Sequence, residues 1–600
     1  MADIIQLLPD SIANQIAAGE VIQRPASVVK ELMENSLDAG ADEIKLIIKD
    51  SGKTLIQVID NGNGMTETDA RMAFERHATS KIKTAQDLFE IKTMGFRGEA
   101  LASIAAIAQV DLITRLRDTE LGSHISIHAS KFKKQEVCQT FPGTTFTVKN
   151  LFYNIPARRK FLKSNPVELK HVMEEFHRIA LAHPHLFFSL YHNGNEIYHL
   201  PKGNLRQRIV NIFGKSYNEK IVPVDEDAHQ MKVSGFIGKP EASKKTRGEQ
   251  YIFVNNRYIK SNYLNHAIRS CYQDLISSDH HPFYVIFMEM DPSEIDINVH
   301  PTKQEIKFEE ERLVYNYLKV SIKHALGQYN VTPAIDFDVD YNMTMRTAPG
   351  GQAIPEYRQE SFKAAKEEFQ KDNLRAWQSL YQDIKEESQE AVTIESKLSQ
   401  TEILTDEKSS ASHSRAPYQI LQTYILSQIK SGFLLIDQQS AHERILYERY
   451  LSSLDSKGLS SQKQLFPETI ELTPAKCETL KTILPQMNKL GFEIEDFGSN
   501  TFIIRGIPVG LESIESVKIL IEQLLHQYEN NLEFQLGIPE NISRSMAIST
   551  CMKRGTPMQE DEMFSLIDQL FACNVPYMSP SGKKCFISID IEEIKKRFIE

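Results

Sequence analysis

Residues 25–40 read PASVVKELMENSLDAG, and the fold of the first third of the chain turns on them. Pro25 suits the first turn of a helix, where its missing N–H is not needed, and Gly40 suits the residue just past the end. Wound as a helix, the stretch places Val29, Leu32, Met33 and Ser36 on one face, the natural core side. Glu31, Asn35 and Asp38 fall at i, i+4 and i+7 on the opposite face. A carboxylate and an amide in line could hold a metal ion and a water there. A solvated polar face explains the same spacing and is the commoner condition of a surface helix, so the neighbouring segments must decide.

Downstream, EIKLIIK and LIQVID read as two strands joined by the turn DSGKT. The second strand ends in Asp60-Asn61-Gly62-Asn63-Gly64. Two glycines one residue apart allow a tight turn and a close approach of backbone to a ligand. An aspartate at a strand end beside such a turn could accept a hydrogen bond from an adenine amino group; an ordinary Asx turn is the alternative. Ser51-Gly52-Lys53-Thr54 imitates the tail of a phosphate-binding P-loop, but Ile47 stands where the first glycine is required, and the piece lies between strands rather than before a helix. Further on come His77-Ala78-Thr79-Ser80-Lys81 and Gly95-Phe96-Arg97-Gly98-Glu99-Ala100-Leu101. The latter is a glycine-punctuated loop running into the apolar helix EALASIAAIA, a natural phosphate cradle.

The first third reads as one α/β unit, residues 1–210. A second, 211–333, contains QYIFVNNRYI and FYVIFMEM, which read as strands. Residues 334–415 are polar, acid-leaning and poor in apolar periodicity, and read as a flexible linker. A surface helix around Trp377 is the alternative there. Order returns in 416–600, where YQILQTYILSQI and GFLLIDQ look like strands. The fold class expected is a multidomain α/β (α+β) chain. A net charge of −11 argues mildly against nucleic-acid binding, although a basic groove can sit beside acidic segments. Six cysteines without paired spacing suit a reducing compartment. The first residues lack the basic start and apolar core of a secretory leader, and no apolar run is long enough to cross a bilayer, so a cytoplasmic location without membrane contact is expected.

In the order helix carboxylate, DNGNG, HATSK, GFRGEAL, the motifs resemble those of the GHKL ATPases. Within that superfamily the chain is similar to the MutL family. The similarity is carried by IANQIAAGEVIQRPASVVKELMENSLDAGA, DNGNGM, RHATSKI, GFRGEALASI, GTTFTVKNLFYNIPARRKFLK, FVNNRYI and DINVHPTKQEI. It covers the first third strongly, the second unit well and the last part loosely. The resemblance implies a GHKL ATP-binding sandwich, a ribosomal-protein-like second domain, a linker and a C-terminal dimerisation domain. It implies ATP and Mg²⁺ as cofactors. Glu31 would be the general base that orients the attacking water, and Asn35 would coordinate Mg²⁺, with Asp38 counted among the nucleotide-binding residues. Asp60 would read the adenine amino group, Gly64 would shape the pocket wall and Thr145 would support it. Thr79, Ser80, Lys81, Gly95, Phe96, Arg97 and Gly98 would form the lid over the phosphates, and Lys303 would reach the γ-phosphate from the second domain. Positioning and charge compensation are what phosphoryl transfer needs.

The same resemblance implies a homodimer that links a MutS-like mismatch sensor to strand removal. Arg158, Arg159, Lys160, Arg257, Lys260 and Arg269 could contact DNA phosphates without reading bases, or could simply be solubilising charge. Gln462-Lys463-Gln464-Leu465-Phe466-Pro467 resembles the glutamine-led peptides that dock on the replication sliding clamp: Gln462 would anchor, and Leu465 and Phe466 would fill an apolar pocket. Many MutL proteins are also metal-dependent nicking endonucleases, with ligands from a DQHAxxE element, a cysteine and a CPHGRP segment. Here Asp437 and Glu443 remain, but Gln439 replaces the histidine, and Ser579-Pro580-Ser581-Gly582-Lys583-Lys584 stands in the last element. Serine hydroxyls are poor Zn²⁺ ligands, so the nuclease is expected to be absent or badly weakened; a rearranged site using His442, Cys551 and Cys573 is the alternative. A topoisomerase subunit or chaperone sharing the ATP fold is a third reading, and nothing in the chain matches a tyrosine-nucleophile domain.

Overall fold

The computed structural model describes residues 10–81, 94–95, 98–228, 231–244, 248–277, 280–296, 306–329, 416–429, 432–456, 458–498, 500–511, 516–531 and 536–598. The expected linker, and with it Trp377, lies outside them.

Strict alternation of buried and half-exposed residues builds the first sheet. In β1 (Glu43–Lys49) and β2 (Leu55–Asp60), Ile44, Leu46, Ile48, Ile56, Val58 and Asp60 point to one buried face. With β3 (Gln109–Arg115), β4 (Gly122–His128), β5 (Lys131–Cys138), β6 (Gly143–Lys149), β7 (Phe187–His192) and β8 (Asn195–Leu200), they form an eight-stranded sheet of order β5-β4-β3-β6-β2-β1-β7-β8. The β1–β7 pair is parallel and its other pairs are antiparallel. Helices α1 (Asp10–Val21), α2 (Pro25–Asp38), α3 (Glu67–Met72), α4 (Ala100–Ile107), α5 (Pro156–Phe161) and α6 (Asn165–Ala182) belong to this layer. The core joins Val28, Val29, Leu32 and Met33 of α2 to Phe176 and Ala180 of α6 and to the sheet. Helix α2 begins on Pro25 and stops where Gly40 turns left-handed at φ +68°, as the sequence predicts.

The second sheet has order β12-β11-β13-β10-β9, built from β9 (Ile221–Ala228), β10 (Met231–Gly238), β11 (Gln250–Val254), β12 (Arg257–Ile259) and β13 (Tyr284–Met290). Helices Asn262–Cys271 and Glu311–Gln328 share its core. QYIFVNNRYI is therefore a hairpin rather than one strand. Asn255 and Asn256 both have positive φ, which suits the two-residue loop that pairs Val254 with Arg257. The C-terminal part holds a four-stranded sheet of Tyr418–Ile420, Tyr424–Ile429, Gly432–Asp437 and Phe586–Asp590, in that order. It also holds a three-stranded sheet with Thr501–Pro508 between Ser461–Glu471 and Glu493–Gly498. YQILQTYILSQI likewise proves to be a hairpin.

Candidate nucleotide site

Helix α2 turns its apolar face into the core, and its polar face is half-buried rather than solvated. The Asp38 side chain keeps 8% of its surface exposed and Glu31 21%. Lys81 explains part of this. Its Nζ donates to Asn35 Oδ1 at 3.0 Å and to Asp38 Oδ2 at 2.5 Å. The N–H groups of Met94 and Gly95 donate to Asp38 Oδ1 and Oδ2 at 3.0 and 3.1 Å. The glycine-rich loop thus folds back onto the helix that carries Glu31, Asn35 and Asp38. A Cβ on Gly95 would lie 3.0 Å from Lys81 Nζ, and one on Gly98, at φ +62°, would lie 2.4 Å from the Ala78 carbonyl oxygen. Thr79 Oγ1 accepts from the Lys81 N–H at 3.2 Å, and Ser80 is exposed. Phe96, Arg97 and Lys303 lie outside the described residues.

Asp60 sits at the end of β2, 7% exposed, with both oxygens engaged. Ser36 Oγ donates to Oδ2 at 2.7 Å, and the Gly62 N–H donates to Oδ1 at 3.0 Å. Burial pushes this carboxyl up from its ordinary range, against the hydrogen bonds from Ser36, Gly62 and Thr144 that pull it down. The pocket wall is backbone: Gly64 has φ +73°, and a Cβ there would sit 2.1 Å from the Arg115 carbonyl oxygen. Two partners of Asp60 escape a sequence reading. Ser36 falls on the apolar face of α2, where burial rather than bonding is expected of it. The threonine beside Asp60 is Thr144, not the expected Thr145. Asp60 pairs with Thr144 across the sheet, and period-two alternation turns the half-exposed Thr145 to the opposite face. Thr144 Oγ1 lies 3.1 Å from Thr114 Oγ1, which accepts from the Met65 N–H at 3.0 Å.

The candidate DNA residues part company. Arg159, Lys160 and Lys260 are exposed, whereas Arg158, Arg257 and Arg269 are partly buried. Arg158 packs on α1, where a Cβ on Gly19 would collide with its guanidinium. Arg257 donates to the Met94 carbonyl at 3.2 Å. At the other end of the chain, strand Ser461–Glu471 loses register with Thr501–Pro508 between Lys463 and Glu468. This bulge leaves Leu465 87% and Phe466 80% exposed.

The C-terminal carboxylates are occupied by protein. Asp437 caps the helix Gln438–Asp455 by accepting from the Ser440 N–H at 2.7 Å, and Arg554 donates to its other oxygen at 3.3 Å. Glu443, 5% exposed, accepts from the N–H and hydroxyl of Ser581. His442 Nδ1 accepts from the Met552 N–H at 3.0 Å, and Glu448 accepts from the N–H groups of Asn574 and Val575. Burial pushes the Cys573 thiol up to about 11 and Cys585 up to about 12, and raises Cys551 as well. Among the described residues, no three His, Cys, Asp or Glu side chains are grouped to hold a metal.

The half-buried carboxylate and amide of α2 and the buried aspartate that ends β2 lie in a stretch that comparison assigns to the GHKL class of ATPases. The family profile of the histidine kinase-, DNA gyrase B- and HSP90-like ATPases matches residues 23–153. Two further profiles match: the DNA mismatch repair protein C-terminal domain at residues 209–327, and the MutL C-terminal dimerisation domain at 418–558. DNA mismatch repair proteins MutL from Flavobacterium psychrophilum, Christiangramia forsetii and Parabacteroides distasonis are 46%, 45% and 44% identical, each over 100% of both chains. The crystal structure of an N-terminal domain of a DNA repair protein overlays 53% of this chain and 99% of its own, at 25% identity and a TM-score of 0.48. The chain belongs to the MutL family of DNA mismatch repair proteins. It carries an ATPase domain and a C-terminal dimerisation domain and functions in mismatch repair as a homodimer.

Proposed function

We propose that the chain is an ATP-gated clamp in which the α2 site binds Mg·ATP and its hydrolysis resets the dimer. The observation that carries this is Asp60, a buried carboxylate fixed at both oxygens beside a glycine wall. With three donors engaged, the carboxylate keeps one of its roughly four acceptor sites for an adenine amino group. Asn35 suits Mg²⁺ as a hard oxygen donor, and its Oδ1 already meets a cation, the Lys81 ammonium, at 3.0 Å. Mg²⁺ held there supplies charge compensation for the phosphates. Glu31, one turn earlier on the same face, orients water and takes its proton. Lys81, with one ammonium proton beyond those given to Asn35 and Asp38, donates to the phosphates, and Lys303 and the Phe96 and Arg97 positions complete the set. Thr144 supports the adenine side.

DNA is held through phosphates by Arg159, Lys160 and Lys260, whose exposure favours them over Arg158, Arg257 and Arg269. Gln462, Leu465 and Phe466 dock on the sliding clamp, a reading supported by the bulge that leaves both apolar side chains in solvent. A MutS-like sensor delivers the mismatch signal. No helix among the described residues is long and apolar enough to cross a membrane. Strand nicking belongs to another protein: Arg554 and Ser581 engage Asp437 and Glu443, and Gln439, Ser579 and Ser581 stand where imidazole and thiolate ligands would be needed.

Calorimetry on Asp60→Asn tests the nucleotide site. The amide can turn an NH₂ toward adenine's own NH₂, so ATP affinity falls by about 1.5–3 kcal/mol, the worth of a hydrogen bond to a charged group. Unchanged affinity would refute the assignment.

A further inference from the structure

The peptide flanks of Met94 are grasped from two directions. The Met94 N–H donates to Asp38 Oδ1 at 3.0 Å, and its carbonyl accepts from Arg257 Nη2 at 3.2 Å. Asp38 ends α2, the helix of the proposed base Glu31. Arg257 opens β12 in the second sheet, immediately after the 255–256 turn. The next peptide repeats the tie, since the Gly95 N–H donates to Asp38 Oδ2. The second sheet therefore reaches the glycine-rich loop by a direct bond from a guanidinium to backbone, which needs no particular side chain on the loop.

Charged groups surround this contact. Arg178 of α6 lies 4.2 Å over the Tyr258 ring, next in sequence to Arg257, and pairs with Glu175. Lys30 of α2 lies 3.4 Å from both Glu31 and Glu34. A cavity between α2, α6 and the hairpin is lined by Lys30, Glu34, Met94, Arg178, Arg257 and Tyr258. Burial alone would lower the Lys30 ammonium, but Glu34, Glu31 and Glu175 outweigh it and raise it, while Arg257 opposes them. The same hairpin arginine thus touches the loop and bears electrostatically on the lysine beside Glu31.

We propose that Arg257 is a positioning residue for ATP hydrolysis: through the Met94 carbonyl it ties the second domain to the loop on the phosphate side of the site. A bond that forms in one arrangement of hairpin and loop and is lost in another gives the two domains a coupling free energy. Arg257 touches neither nucleotide nor metal in this role, so binding is spared and turnover is not. It also takes Arg257 out of the DNA surface. The proposal rests on the nucleotide site argued above.

The test is steady-state ATP hydrolysis by the full chain carrying Arg257→Met or Arg257→Lys, with Glu31→Ala run beside them. DNA affinity is measured without nucleotide. In Arg257→Met, kcat is expected to fall about tenfold or more, the scale of one charge-assisted hydrogen bond, while KM stays within about twofold. Arg257→Lys keeps a donor and recovers part of kcat. DNA affinity is unchanged in both. Wild-type kcat in Arg257→Met, a loss lying wholly in KM, or a loss of DNA affinity without nucleotide would each overturn the role of Arg257. If Arg257→Met melts well below the wild type, Arg257→Leu, which likewise lacks a donor, takes its place with the same outcomes. Hydrolysis that survives Glu31→Ala would instead sink the underlying site.

Discussion

At the scale of residues, the proposed adenine side of the site rests on Asp60, a carboxyl buried at the end of β2 and bonded at both oxygens. Burial raises Asp60, and three hydrogen-bond donors hold it in check. For nucleotide, the sign is simple: the charged carboxylate accepts from adenine and the protonated one does so poorly. ATP affinity should fall as pH drops through the raised value, so its acid limb lies above the ordinary aspartate range of about 3.9. Ser36→Ala removes a donor to the charged form and moves that limb higher still. For stability the sign reverses. The native state binds this proton more tightly than the unfolded chain, so ionised Asp60 destabilises the fold above its native pKa, and the cost disappears below the unfolded one. ATP titrations by calorimetry from pH 4 to pH 8 read the limb, and a limb at or below that of a free aspartate would refute this account. Ser36 illustrates what a residue list hides. Its helix phase is legible and it is buried as expected, but its bond to Asp60 joins two segments whose approach no local pattern encodes.

At the scale of elements, α2 and β2 are legible because each shows a clean period: 3.6 with a proline start and a glycine stop, and two with Ile56, Val58 and Asp60 on the buried face. Register between strands is less legible. The motif GTT can offer either threonine to the pocket, and only the pairing of Asp60 with Thr144 decides. Turns inside apolar runs are hidden for a similar reason. Leu421 and Gln422 adopt positive φ between two strands although neither is a turn former, so tertiary pairing imposes that loop. Asn255 and Asn256 do carry turn chemistry, but they sit in a run whose apolar flanks read as one strand. Gly64 is the element-scale test. Alanine there must hold φ near +73° and push the Arg115 carbonyl aside, which costs about 2 kcal/mol or more from backbone strain alone. Gly64→Ala should melt about 4–8 °C lower and bind ATP weakly. A variant that melts and binds like the wild type would show that this turn is not the rigid wall described.

At the scale of the whole molecule, an ATPase domain stands at one end of the chain and a dimerisation domain at the other, and we propose that the dimerising end does no chemistry on DNA. That Gln439 and the serines replace metal ligands is legible in the sequence. That Arg554, Ser581 and the N–H groups of Asn574 and Val575 take up the remaining carboxylates is not, because those partners come from about 110 to 140 residues away. Purified protein with Mn²⁺, Zn²⁺ and sliding clamp should leave closed circular DNA intact. Nicking that disappears on Asp437→Asn or Glu443→Ala would contradict this. The central claim, that α2 carries a hydrolytic site whose base is Glu31, is tested most directly by measuring ATP binding and ATP turnover on one preparation of full-length Glu31→Ala. The account predicts affinity within about threefold of wild type and turnover lower by about a hundredfold or more, the usual worth of a general base. Turnover within tenfold of wild type by a variant that binds ATP normally would contradict it.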